Sequence, residues 1–156
     1  GSNYRMTEMQ ACLGRIQLKY LNKNIQIRRN NAKLMTKIFS DIKNISLPIN
    51  NEKFHNSFYK YFIFIDKKKL KKNYNVQIII NLIKKHKIPC SSGVCPEIYL
   101  EKSFKNLANI KFKRLENCKL LGSTSLALDI NPTLSNYEHS NNLLKIKNTL
   151  KKIYGH

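Results

Sequence analysis

Apolar residues recur at mostly three- or four-residue steps from Met9 through Leu13, Ile16, Leu21, Ile25, Ala32 and Met35 to Phe39. That spacing marks one face of an α-helix and predicts a single helix over about residues 7–40. Thr7 and Gln10 form a T-x-x-Q capping box at its start. A helix this long exceeds the ordinary globular length and is expected to bridge two bodies. Gly14 falls inside it, where glycine costs about 1 kcal/mol relative to alanine, so another element is expected to approach closely there. Cys12 reads as a small buried hydrophobe on the apolar face. The turn-rich stretch "NISLPINNEKFHN" follows as a connector.

The next pattern changes period. "SFYKYFIFID", 57–66, is aromatic and β-branched and predicts a strand, with Tyr59, Tyr61, Ile63 and Ile65 on one face and Phe58, Phe62 and Phe64 on the other. Two apolar faces imply burial on both sides. Val76, Ile79, Ile80 and Ile83 then share one face of a helix, and "IPCSS" returns as a short extended segment. "CPEIYLEKSF" reads as a short helix opened by Pro96, and "FKRLENCKLLG" as another, stopped by Gly122. "STSLALDI" is a further strand. Ser135 and Glu138 make a second capping box before a last helix over about 136–154, with Leu143, Leu144, Ile146, Leu150 and Ile153 apolar. The fold class expected is α+β. A linking helix over 1–40 leads into a small domain over 41–156, with a mainly antiparallel sheet of about three strands flanked by helices.

The chain has 156 residues and 42% apolar content, enough for one modest core. It has no apolar run long enough to span a bilayer and no basic-then-apolar leader, so a cytoplasmic protein is expected. The net charge of +20 raises the question of a polyanionic partner. Lysine supplies 24 of the 29 cations, and asparagine and isoleucine, with 20 and 19 copies, are nearly as abundant. These three residues share A/T-rich codons, and the lysines are scattered over helix faces. The bias therefore follows composition, and no nucleic-acid partner is expected. The one dense run, "DKKKLKKNYN", reads as a solvated loop. Cys90 and Cys95 form C-x4-C with only His86 nearby, too few ligands for a zinc site, so no metal is expected. Cys118 reads as a buried helical residue. The four histidines, His55, His86, His139 and His156, are scattered and read mostly as surface residues. No catalytic set is complete in these residues alone.

The stretch "NYRMTEMQACLGRIQL" resembles the N-x-R-M-T-E-x-Q-A-x-x-G-x-x-Q-L signature of DegT/StrS-type sugar aminotransferases, through Asn3, Arg5, Met6, Thr7, Glu8, Gln10, Ala11, Gly14, Gln17 and Leu18. "HNSFYKYFIFID", "KHKIPCSSGVCPEIYLEKSF" and "LENCKLLGSTSLALDINPTLS" are similar, in order, to later family segments. The resemblance implies the small C-terminal domain of a fold-type-I, pyridoxal-phosphate enzyme acting on nucleotide-linked keto-sugars for surface polysaccharide or lipopolysaccharide. It also implies that the family's large domain is missing, with the lysine that holds the cofactor, the aspartate on its pyridine nitrogen and the stacking aromatic. The isolated chain is then expected to be inactive, the intact enzyme a homodimer served by an amino donor, and pyridoxal phosphate not covalently bound to this chain.

The same resemblance assigns roles. Asn3 matches a position whose amide reaches the cofactor phosphate of the partner subunit; as a residue alone it equally caps a helix start. Arg5 either pairs with cofactor or nucleotide-sugar phosphates or forms an ion pair with Glu8. His55, Ser91, Ser92 and Asn131 are candidate substrate contacts, against ordinary turn roles. Asn131 stands where the family often has histidine, so an imidazole role is lost there. No residue is assigned a catalytic role. A basic nucleic-acid-binding module and a non-catalytic remnant of a split aminotransferase gene are the alternative readings.

Overall fold

The computed structural model describes residues 4–49, 54–93, 97–105, 113–133 and 136–155. Helix α1 covers Glu8–Phe39. Its start is fixed as the sequence predicts. Thr7 Oγ1 accepts from the Gln10 amide at 3.3 Å and Gln10 Oε1 accepts from the Thr7 amide at 3.0 Å, so two otherwise unpartnered donors are satisfied reciprocally. The helix is about 48 Å long, yet only its last turns enter the core, through Ala32, Met35 and Phe39. Before Asn24 its residues are exposed, apart from half-buried Ala11 and Gly14. Cys12 is therefore exposed rather than buried, because none of the described residues packs on the apolar face it shares. Among the described residues nothing lies within 4 Å of a methyl group built on Gly14, so none of them makes the close approach expected there.

The sheet has four antiparallel strands rather than about three: β1 (Ile45–Ser46), β2 (Lys60–Ile65), β3 (Cys90–Ser92) and β4 (Ser125–Asp129), in the order β1-β2-β4-β3. The extra strand, β1, is two residues inside the connector, too short to show any period. β2 starts three residues later than expected. Phe58, with a φ of 48°, turns its ring onto the side of Tyr61, at 6.4 Å between centroids and 21° between planes. Phe58 is thus buried with the inner row, and Tyr59 is left exposed. Burial on both sides holds for β4, where Ser125–Leu128 are all buried, while in β2 only alternate residues are fully buried.

The inner face carries Tyr61, Ile63 and Ile65, Leu126 and Leu128, and Cys90. Three helices cover it: α1, α2 (Val76–Lys85, through Ile79, Ile80 and Ile83) and α5 (Asn136–Tyr154, through Leu143, Ile146, Leu150 and Ile153). Each such aliphatic side chain contributes roughly 1.5–3 kcal/mol by leaving water. Between β3 and β4 lie one-turn α3 (Lys102–Lys105) and α4 (Glu116–Thr124), the latter over the outer face of β2. α4 runs through Gly122 and ends at Thr124, whose Oγ1 donates to the Leu120 carbonyl at 2.8 Å. Pro96 and Ser135 lie outside the described residues. Among the described residues no helix is long and apolar enough to cross a membrane.

Asp41, just past α1, ties that helix to α5. Its Oδ2 accepts from Lys151 at 2.8 Å and Lys147 at 2.9 Å. The Lys151 and then the Lys147 hydrogen bond hold its carboxyl down at about 2. A carboxyl depressed in the folded state contributes stability that is present above the ordinary value of 3.8 and lost as pH falls through about 2. We therefore expect Asp41→Asn to lower Tm by a constant amount above about pH 5, with the two curves converging toward pH 2. The gap should also shrink in high salt, since all three side chains are solvent-exposed or nearly so. Parallel thermal scans from pH 2 to 7 check this; a gap as large at pH 2 as at pH 7 contradicts it.

Candidate functional site

The residues singled out in the sequence fall in three places. Arg5 is exposed just before the capping box, at the tip of the projecting part of α1. Asn3 lies outside the described residues. His55 is exposed in the segment leading to β2, which is pinned to α1 by Arg29 Nε donating to the Asn56 carbonyl at 3.0 Å. Asn56 Oδ1 accepts from the Phe58 amide at 2.7 Å and fixes the turn. Twenty-one residues of helix separate Glu8 from Arg29, a rise of about 32 Å. Arg5 and His55 therefore cannot serve one ligand within a single copy of the chain.

Asn131 follows β4. Lys60 pairs with Asp129, so Asn131 and His55 both lie beyond the same end of the sheet. The Asn131 Oδ1 accepts from Thr133 N at 2.9 Å and Thr133 Oγ1 at 2.7 Å, so its side-chain carbonyl is committed to a turn. Ser91 pairs with Ala127 and Ser92 with Leu126, which sends their side chains to opposite faces of the sheet. Ser92 also lies five residues back along β4 from Asn131, about 17 Å. The structure brings His55 and Asn131 to one end and keeps both serines away from them.

Two features escaped the sequence reading. His139 is not a surface residue: it is 5% exposed. It hydrogen-bonds the Asn31 backbone of α1, and Nε2 has no partner among the described residues. Burial pulls its pKa below the ordinary value, favouring the neutral ring. Its position was legible, since His139 stands four residues before Leu143 on the buried stripe of α5. It borders a cavity of about 300 Å³ that Asn131, Asp129 and Asn142 also line. The second feature is Glu97, which takes the Arg114 guanidinium at 2.9 and 3.2 Å and the Tyr99 hydroxyl at 2.9 Å. Arg114, first, holds the Glu97 carboxyl below its ordinary value. This cluster closes the segment after β3 across seventeen residues, a separation with no local signal.

Cys90 is buried, and that burial pushes its thiol up to about 11. Cys95 lies outside the described residues. Among the described residues no three metal-binding side chains cluster.

A pyridoxal phosphate site needs a lysine and a carboxylate sheltered around the ring and donors around the phosphate. Among the described residues no lysine and no carboxylate is buried. An exposed guanidinium at the N-terminal end of a 32-residue helix is a phosphate partner in charge and in shape. The described residues thus fit the phosphate end of that cofactor and not its ring.

The fold and these residues define a class: an α+β domain that presents polar side chains on an arm and at a sheet end, with no buried acid–base pair among its described residues. The profile of the DegT/DnrJ/EryC1/StrS aminotransferase family matches residues 1–144. The chain belongs to that family. An aminotransferase from Psychrobacter cryohalolentis superposes with a TM-score of 0.88 and 33% identity, over 99% of this chain and 41% of that one. Helicobacter pylori PseC, an aminotransferase involved in the biosynthesis of pseudoaminic acid, gives 0.79 and 23%, over 97% and 39%. S. venezuelae DesV gives 0.80 and 16%, over 97% and 38%. The last two likenesses show the fold alone. The chain spans about 40% of the length of these structures. No curated protein sequence matches it.

Proposed function

We propose that this chain is the C-terminal part of a pyridoxal-phosphate-dependent aminotransferase that acts on nucleotide-linked keto-sugars in surface polysaccharide or lipopolysaccharide biosynthesis. The observation that carries this is the projecting half of α1. Met9, Leu13 and Ile16 are 77%, 59% and 46% exposed, and the space around Gly14 is open. An apolar stripe with a mid-helix glycine is a surface shaped for close packing, and in this reading the large cofactor domain packs there. Residues 1–40 serve as the link and 41–156 as the small domain. The enzyme is a cytoplasmic homodimer.

When bound, pyridoxal phosphate supplies the electron sink for moving an amino group from donor to keto-sugar. This chain's part is to hold and to wall. Arg5, with Asn3, holds the phosphate of the partner subunit's cofactor, its charge reinforced by the helix N-terminus. His55 and Asn131 offer hydrogen bonds to substrate from the sheet end, while Ser91 and Ser92, within β3 and with side chains on opposite faces, do not share that end. No residue of the chain moves the substrate proton, so the 156 residues alone are inactive.

The test is chemical. Incubated with pyridoxal phosphate and reduced with borohydride, the chain should show no stoichiometric adduct on one lysine by peptide mass spectrometry. Joined in one polypeptide to a cofactor domain of this family, the product should carry one adduct, in that domain, and transaminate a nucleotide keto-sugar. A single fully occupied lysine within the 156 residues, or turnover by them alone, overturns the proposal.

A further inference from the structure

The lysine run after β2 is not uniform in the folded chain. Lys71 turns toward α5, where its Nζ donates to the Lys152 carbonyl at 3.2 Å. Lys67 and Lys68, held in a one-turn helix capped by Asp66, border a cavity of about 650 Å³ instead. Lys43, from the other side of β1, also borders it. The floor and far wall are apolar: Phe64 of β2, with Leu120 and Leu121 of α4. Both leucines are about half exposed, at 57% and 49%. The volume lies within the usual range for small-molecule sites.

Three kinds of chemistry meet there. Three lysines, Lys43, Lys67 and Lys68, line the cavity against a single acidic residue, Asp66, whose Oδ1 is already taken by the Lys68 amide at 2.9 Å. The slot between Phe64 and the two leucines is apolar. The third is backbone: β1 is the edge strand of the sheet and Asn44, Ile45 and Ser46 line the cavity; the Asn44 carbonyl accepts from the Asp66 amide at 3.0 Å and Ser46 pairs with Phe64, which leaves the main chain of Ile45 on the free edge. A ligand that satisfies all three has an anionic tail, a flat apolar ring and hydrogen-bonding groups on the edge of that ring.

We propose that the cavity between β1, the end of β2 and α4 is a binding site for a nucleoside phosphate, with the phosphates on Lys43, Lys67 and Lys68 and the base between Phe64 and Leu120–Leu121. The site is separate from Arg5, which lies at the tip of the α1 arm. It is also separate from Asn131, because Phe64 pairs with Ser125, at the opposite end of β4. It does not depend on the cofactor reading.

A chain of charge +20 attracts any anion, so the experiment must separate a site from diffuse attraction. The 156-residue chain is titrated with UDP and with ADP in a calorimeter at roughly physiological ionic strength, where long-range attraction is screened. Pyrophosphate and the free nucleosides are the single-part controls. We expect one saturable site for at least one nucleotide, with pyrophosphate and nucleoside each at least about tenfold weaker. Replacing Lys43, Lys67 and Lys68 together by alanine should weaken binding about tenfold or more. Replacing Lys69, Lys72 and Lys85 removes the same charge from positions outside the cavity and should change affinity by less than about twofold. All six lysines are exposed, so both variants retain the core. Equal losses in the two variants, pyrophosphate binding as tightly as the nucleotides, or absence of saturation would each overturn the proposal.

Discussion

Replacing Phe39 by alanine is expected to lower the free energy of unfolding by about 3–5 kcal/mol. The side chain is fully buried within the core. Its ring lies 6.3 Å from that of Tyr61, inclined at 54°. Tyr61 in turn shares a 2.8 Å hydrogen bond with Thr36, one turn back on α1. Truncation therefore opens a cavity where helix and sheet are cross-braced, and the braces prevent collapse around it. Leu13→Ala, on the same helix but 59% exposed, should change stability by no more than about 0.5 kcal/mol. Urea unfolding of the two variants checks this, and the slope with denaturant should stay constant. Equal effects would mean that the projecting half of α1 is packed as firmly as the last turns.

The second large effect is expected at Arg5, in the proposed enzyme with its cofactor domain in place. Removing a guanidinium that hydrogen-bonds a phosphate forfeits a charge-assisted interaction, so Arg5→Ala should raise the dissociation constant for pyridoxal phosphate by roughly 10- to 100-fold. Arg5→Lys should recover only part of that, because a point charge replaces a two-pronged donor. Cofactor retention is measured by dialysis and absorbance. The midpoint of thermal unfolding in the absence of cofactor should not move, since Arg5 is exposed and remote from the core. Unchanged retention in Arg5→Ala would remove the phosphate role and leave Arg5 a purely local residue.

The long-period elements were legible. Spacing alone places α1, α2, α5 and the centre of β2, because each buries a stripe whose repeat matches its geometry. What spacing does not carry is whether an apolar face is covered. Cys12 and Gly14 sit on a correctly read face of α1, yet none of the described residues lies against it. His139 shows the converse: a polar residue on a covered stripe is buried with it. β1 and the turned ring of Phe58 depend on pairing and on a positive φ, neither of which leaves a periodic mark. The candidate site was legible only as separate residues. Their separation, about 32 Å of helix between arm and sheet end, follows from the length of α1 and was implicit in its periodicity.

The arm of α1 also acts as a lever. Its fulcrum is the seat formed by Ala32, Met35 and Phe39, and about 36 Å of helix extends from Ala32 to Glu8. A tilt of about 5° at that seat displaces the tip by about 3 Å, the length of a hydrogen bond. In the proposed enzyme, the fit of side chains around Phe39 and Tyr61 thus sets the aim of a guanidinium that none of them touches. Substitutions in the core that barely alter stability can misplace the tip, and tight packing at the base becomes a requirement of accuracy as much as of folding.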